Sequence, residues 1–225
     1  MDWRFNTIWF DQLEKNKIFT KDFKLDKTKT ENNIWENAEY GIIWHLKKGA
    51  ESFENLNSTG KLLHLELYFS NITDFSGIKK ITNLKRLELY NCYKLESDFD
   101  IQKLSNSLEF LHINQCKKFK FAENLLDLKK IKVLRLNSCA SIKNLDFLTN
   151  FPNLIDFRFV DTEVLDGNLN QILEHPTIRS VGFVNKRHYN FKFEELQAKL
   201  KMKNESNYKI TIYKGEYSTF KYDYE

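Results

Sequence analysis

The chain contains only three cysteines in 225 residues. They form no C-x-x-C pair and have no neighbouring histidine to complete a zinc tetrahedron. An odd count also argues against a disulfide framework of the kind found in small exported domains, and unpaired thiols favour a reducing compartment. Glycine is scarce, at seven residues, and no G-x-G-x-x-G, G-x-S-x-G or H-E-x-x-H motif occurs. Gly60-Lys61 resembles the end of a phosphate loop. However, Asn55 stands where the first glycine is needed and Leu62 where Ser or Thr would hold magnesium. No run of 18 apolar residues is present to form a membrane span, and the start, MDWRFNTIWFDQLEKNK, lacks a basic region followed by an apolar core. The sequence therefore predicts no catalytic residue, no metal, no cofactor, no membrane association and a cytoplasmic location. The sequons Asn71-Ile72-Thr73 and Asn57-Ser58-Thr59 are then read as chance matches.

What the chain has instead is a repeated phrase. LKRLELYNCYKL (84–95) recurs as LEFLHINQCKKF (108–119) and IKVLRLNSCASI (131–142), and all three cysteines fall at one position of it. The same frame fits LLHLELYFSNI (62–72), LIDFRFVDTEVL (154–165) and IRSVGFVNKRHY (178–189). The six copies start at Leu62, Leu84, Leu108, Ile131, Leu154 and Ile178, so the steps are 22, 24, 23, 23 and 24 residues. In each copy period-two alternation sends one row of apolar side chains to one face of a strand and the intervening residues to the other. One such strand cannot bury its row alone, whereas six stacked strands share a continuous core.

A frame of L-x-x-L-x-L-x-x-(N/C)-x-L at a period of 20 to 29 residues is the signature of leucine-rich repeats, and residues 61–190 resemble that family. The first copy, with its return ITDFSGIKKITN, and the fourth, with SIKNLDFLTNFPNL, are similar to the short repeats of bacterial internalin-type proteins. The fold class expected is an α/β leucine-rich-repeat solenoid of about six repeats with a parallel sheet on its concave face. It would be flanked by an N-terminal cap (1–60) and a C-terminal cap (191–225).

The ninth frame position lies where the chain turns off the strand and leaves buried carbonyls without ladder partners. A row of Ser70, Cys92, Cys116, Cys139 and Thr162 would bond them, as an asparagine ladder does in the wider family, at about 1 kcal/mol each. All four tryptophans, Trp3, Trp9, Trp35 and Trp44, lie in the first 60 residues. There Phe5, Ile8, Trp9 and Leu13 fall at helical spacing, which predicts an amphipathic helix over about 5–16, and YGIIWHL (40–46) reads as a degenerate extra strand. FKFEELQAKLKMK (191–203) predicts a helix. YKITIYKGEYSTFKYDY (208–224) predicts a strand, a turn at Lys214-Gly215 and a returning strand that shields the last repeat.

The frame also names three columns of outward side chains on the concave face. The third position gives His64, Arg86, Phe110, Val133, Asp156 and Ser180; the fifth gives Glu66, Glu88, His112, Arg135, Arg158 and Gly182; the seventh gives Tyr68, Tyr90, Asn114, Asn137, Val160 and Val184. His64 and His112 are two strands apart, about 10 Å by strand spacing, which is too far for one zinc. Arg and Tyr dominate protein interfaces, and an acidic, aromatic half beside a basic half predicts a protein partner of complementary charge. The candidate partner-binding residues are His64, Glu66, Tyr68, Arg86, Glu88, Tyr90, Phe110, His112, Asn114, Arg135, Asn137, Asp156 and Arg158, on a chain that is a monomer when free.

Nucleic acid is a weaker reading. Net charge is +4, but 31 acidic residues dilute the basic ones, and the pairs Lys47-Lys48, Lys79-Lys80, Lys117-Lys118 and Lys129-Lys130 fall mostly in the returns. The family resemblance implies an adaptor or, more sharply, a bacterial immunity protein that sequesters a toxin. A secreted internalin-like binder is the alternative.

Overall fold

In the computed structural model, residues 4–25, 37–46, 53–56, 60–203 and 208–223 are described. Trp3, Trp35, Lys47-Lys48 and the Asn57-Ser58-Thr59 sequon lie outside them. Eight strands form one parallel sheet in chain order: β1 (Ile18–Asp22), β2 (Tyr40–Trp44), β3 (His64–Tyr68), β4 (Arg86–Tyr90), β5 (Phe110–Asn114), β6 (Val133–Asn137), β7 (Asp156–Arg158) and β8 (Ser180–Gly182). β3 to β8 are the six copies of the frame. YGIIWHL supplies β2, and β1 adds a strand that carries no leucine signature. The sheet thus starts at Ile18, well inside the stretch read from sequence as a cap.

The frame's inward residues form the core. Leu62, Leu84, Leu108, Ile131, Leu154 and Ile178 are buried at its first position, and Leu65, Leu87, Leu111, Leu134, Phe157 and Val181 at its fourth. Each such side chain contributes about 1.5 to 3 kcal/mol. Aromatics thicken this core toward the C-terminal end, where Phe157, Phe159 and Phe183 stack with centroids 5.2 and 5.1 Å apart. The returns are mostly 3-10 turns, with short helices α1 (Glu123–Leu126) and α2 (Asn170–Glu174). Asp98, buried, holds one return in place by accepting the Ala122 and Leu125 N–H groups at 2.7 and 2.9 Å.

The exit from each strand is the same. Phe69, Asn91, Gln115, Ser138 and Asp161, the eighth frame position, all have φ between 49° and 56°, a left-handed conformation that costs a non-glycine residue about 1–2 kcal/mol. It aims the backbone N–H sideways, so that Phe69, Asn91, Gln115 and Ser138 donate to the seventh-position carbonyl of the next strand at 2.8 to 3.0 Å. The ninth side chain then turns inward. The thiols of Cys92, Cys116 and Cys139 lie 3.5 to 3.7 Å from the seventh-position carbonyls of their own strands, and Cys92 and Cys139 also reach Leu67 and Ile113 on the strand before. Ser70 bonds the Tyr68 carbonyl at 3.2 Å, while Thr162 accepts the Cys139 N–H at 2.8 Å.

The two ends differ from the sequence reading. Residues 5–16 form no amphipathic helix; they make two 3-10 turns, Phe10–Gln12 and Lys15–Lys17. The helical spacing is overridden because residues 4–7 are drawn out alongside the C-terminal hairpin. Helix α3 (Phe193–Lys203) forms as expected, packs on β8 and buries Leu196 and Leu200, so it is this helix that shields the last repeat. The hairpin of β9 (Lys209–Lys214) and β10 (Tyr217–Tyr222) turns back across the concave face instead.

Candidate functional site

Strand register places the three columns as the frame predicts. His64, Arg86, Phe110, Val133, Asp156 and Ser180 are successive partners, as are Glu66, Glu88, His112, Arg135, Arg158 and Gly182; Trp44 joins Tyr68, Tyr90, Asn114 and Asn137 at the head of the seventh column. The chain is a leucine-rich-repeat solenoid.

The solenoid's concave face is not open, and here the expectation of solvent-facing binding columns fails. His64, Arg86, Phe110 and Asp156 of the third column are buried, and so are Glu88, His112 and Arg135 of the fifth. The cover is the chain itself. Asn6 N–H donates to the Phe220 carbonyl at 2.9 Å and Tyr222 N–H to the Arg4 carbonyl at 3.2 Å, so the N-terminal arm runs beside β10. Tyr222 packs on Phe110 and Val133, and its hydroxyl accepts a bond from Arg135 at 2.6 Å. Arg135 also reaches the Asn6 side chain at 2.7 Å, and Arg86 donates to the Phe5 and Asn6 carbonyls. The Arg86 and Arg135 guanidinium groups lie 3.9 and 4.9 Å from the Phe110 ring centre.

Charge pairing explains how so many ions tolerate burial. Asp156 receives two bonds from Arg158, at 2.8 and 3.2 Å, and lies 3.3 Å from Lys209 of β9. Burial opposes the Asp156 carboxylate, but Arg158 overrides it and holds the group well below the usual carboxylate range. Glu88 behaves likewise: burial would raise it, yet Arg86, bonded at 2.6 Å, keeps it well below its ordinary value. Glu66 has no arginine of its own, and burial raises it. His112 sits 3.2 Å from Glu88 and 3.1 Å from Asn137; burial lowers its pKa and favours the neutral ring.

The seventh column remains accessible. Trp44 stacks on Tyr68 (5.5 Å, 15°) and Tyr68 on Tyr90 (4.7 Å, 7°), while His112 meets Tyr90 edge-on. The tyrosine hydroxyls donate inward, Tyr68 to Glu66 at 2.6 Å and Tyr90 to Glu88 at 2.5 Å. Burial and the adjacent carboxylates push both hydroxyls up, so they stay protonated donors. Asn114 and Asn137 extend this half-exposed stripe. Sequence reasoning missed Trp44, whose strand lacks the leucines that reveal the frame. It also set His64 apart from Glu66 and Glu88 in different columns, although the His64 Nε2 atom lies 3.3 Å from a carboxylate oxygen of each.

No family model matches the sequence, and no curated protein matches it. Among solved structures, an internalin, InlF, from Listeria monocytogenes str. 4b F2365 is similar over 68% of this chain and 51% of that one, with 17% identity and a TM-score of 0.40. This chain spans about half of that protein's length. The solenoid assignment rests on strand order and register. Among the described residues no helix is long and apolar enough to cross a membrane.

Proposed function

We propose that this solenoid is a non-enzymatic protein-binding module whose docking surface is the open stripe of Trp44, Tyr68, Tyr90, Asn114 and Asn137. The observation that carries this reading is the ring stack: three aromatics fixed face to face, with the tyrosine hydroxyls anchored on the Glu66 and Glu88 carboxylates. Rigid aromatic surface of this kind loses little entropy on binding and supplies the area from which interface hot spots are built. The sharper reading is an immunity protein that sequesters a toxin inside the producing cell, where its three thiols stay reduced.

Capture from a native extract tests this, comparing wild type with a Trp44→Ala/Asn114→Arg double variant that melts like wild type. Loss of a stoichiometric protein on substitution supports the stripe, and equal capture sinks it. The immunity reading further requires that the captured protein be toxic when expressed alone and harmless when co-expressed with this chain.

A further inference from the structure

We infer that His64, Glu66 and Glu88 form a binding site for a divalent transition cation of the zinc class. One ligand atom from each lies within 4.8 Å of one from each of the others. His64 is 3% exposed, and its Nε2 atom stands 3.3 Å from Glu66 Oε1 and 3.3 Å from Glu88 Oε1 but is aligned for a hydrogen bond with neither. The nitrogen is therefore within reach of both oxygens and bonded to neither. Ligand atoms around a tetrahedral zinc with bonds of ~2.0–2.1 Å are about 3.3 Å apart, so two edges of the coordination triangle already have the required length. Imidazole with two carboxylates suits zinc and its neighbours rather than a soft or an all-oxygen cation.

The surroundings match what a metal site needs beyond its direct ligands. Each carboxylate has its other oxygen fixed: Glu66 Oε2 accepts the Tyr68 hydroxyl at 2.6 Å, and Glu88 Oε2 accepts Tyr90 at 2.5 Å and faces His112 at 3.2 Å. Such outer partners orient ligands and are worth about 10- to 100-fold in metal affinity. The Tyr40 ring lies edge-on to His64, with centroids 6.1 Å apart. Arg86 holds Glu88 Oε1 with both Nε, at 2.6 Å, and Nη2, at 2.5 Å, so a bound cation would take over part of that fork. The site sits beneath the aromatic stripe and would pin its acidic edge, though its existence does not depend on that stripe binding anything.

The test is titration of the metal-free full chain with zinc by calorimetry and with cobalt by absorption spectroscopy. One zinc per chain is expected, weakened about 10- to 100-fold in Tyr68→Phe and more in His64→Gln and Glu66→Gln. His45→Gln, altered at a histidine paired with Asp22, should bind like wild type. Cobalt should give visible bands without the intense thiolate charge-transfer absorption that cysteine ligation would cause. Absence of zinc uptake by wild type, unchanged affinity in His64→Gln, or a thiolate band would overturn the site. The wild-type cobalt spectrum stands even if a ligand variant folds poorly.

Discussion

The third and seventh columns of the concave face run parallel on the same strands, four residues or about 13 Å apart, yet one is sealed and the other accessible. His64 is buried, Arg86, Phe110, Val133, Asp156 and Ser180 lie against the chain's own termini, and Trp44, Tyr68, Tyr90, Asn114 and Asn137 stay half-exposed. A repeat position therefore fixes where a side chain points but not what meets it there. The basic half of the face, which on sequence alone resembles a docking surface, is largely answered internally: Arg135 by Tyr222 and Asn6, Arg158 by Asp156. The proposed docking stripe lies at the edge that the termini leave clear.

Breaking the seal should cost most. Asp156→Asn leaves Arg158 and Lys209 without their buried counter-charge, and losing one member of a buried pair costs about 3–5 kcal/mol. Its sign with pH is determined. The folded-state pKa of Asp156 is depressed, so its contribution is present above the unfolded value of about 3.9 and is lost as pH falls toward the folded value. Denaturant melts at pH 7 and at successively lower pH should show a steep acid decline in wild type and a shallower one in Asp156→Asn; matching slopes would refute the pairing. Next comes Tyr222→Ala, where truncating a fully buried aromatic costs about 3–5 kcal/mol. Limited proteolysis should then cut in the 208–223 hairpin before the repeats. If the hairpin stays as resistant as in wild type, Tyr222 is not what holds it down.

The repeats were legible because their signal is local: leucines at fixed offsets and a Cys, Ser or Thr at the ninth position of the frame. β2 was readable only from YGIIWHL, whose apolar run lacks the full frame, and β1 was not read at all, since Ile18–Asp22 borrows its core from the neighbouring strand. The columns were right as addresses. What the sequence could not reveal was the cover, because the contacts that close the face join distant residues, Arg86 and Asn6 80 positions apart and Asn6 and Thr219 213 apart, and no periodicity links them. The predicted helix over 5–16 failed for the same reason: its spacing was real, but a long-range pairing of Phe5 with Lys221 claimed the backbone. Likewise, His64 and Glu66 fall in different columns yet converge, because long side chains cross the spacing between columns.

Within the open stripe, smaller substitutions separate support from surface. Tyr90→Phe removes a hydroxyl donor from a buried carboxylate and should cost about 1.5–3 kcal/mol, the range for a hydrogen bond to a charged group. Asn137 and Asn114 then offer an internal control, being the same residue type in the same column on adjacent strands. The Asn137 amide lies 3.1 Å from His112 Nε2 and its oxygen accepts the Val160 N–H at 3.0 Å, which ties β6 to the irregular chain beyond β7. Asn137→Ala should therefore cost about 1–3 kcal/mol by leaving those partners unsatisfied. At Asn114 the backbone carbonyl accepts the Asn91 N–H and the Cys116 thiol, and alanine preserves both. Asn114→Ala should change stability by no more than about 0.5 kcal/mol, so any larger loss of partner affinity in that variant would come from the binding surface itself. Equal destabilisation of the two variants would mean that the column contributes to stability as a uniform polar rim, and the distinction between a stabilising Asn137 and an interaction-facing Asn114 would fall.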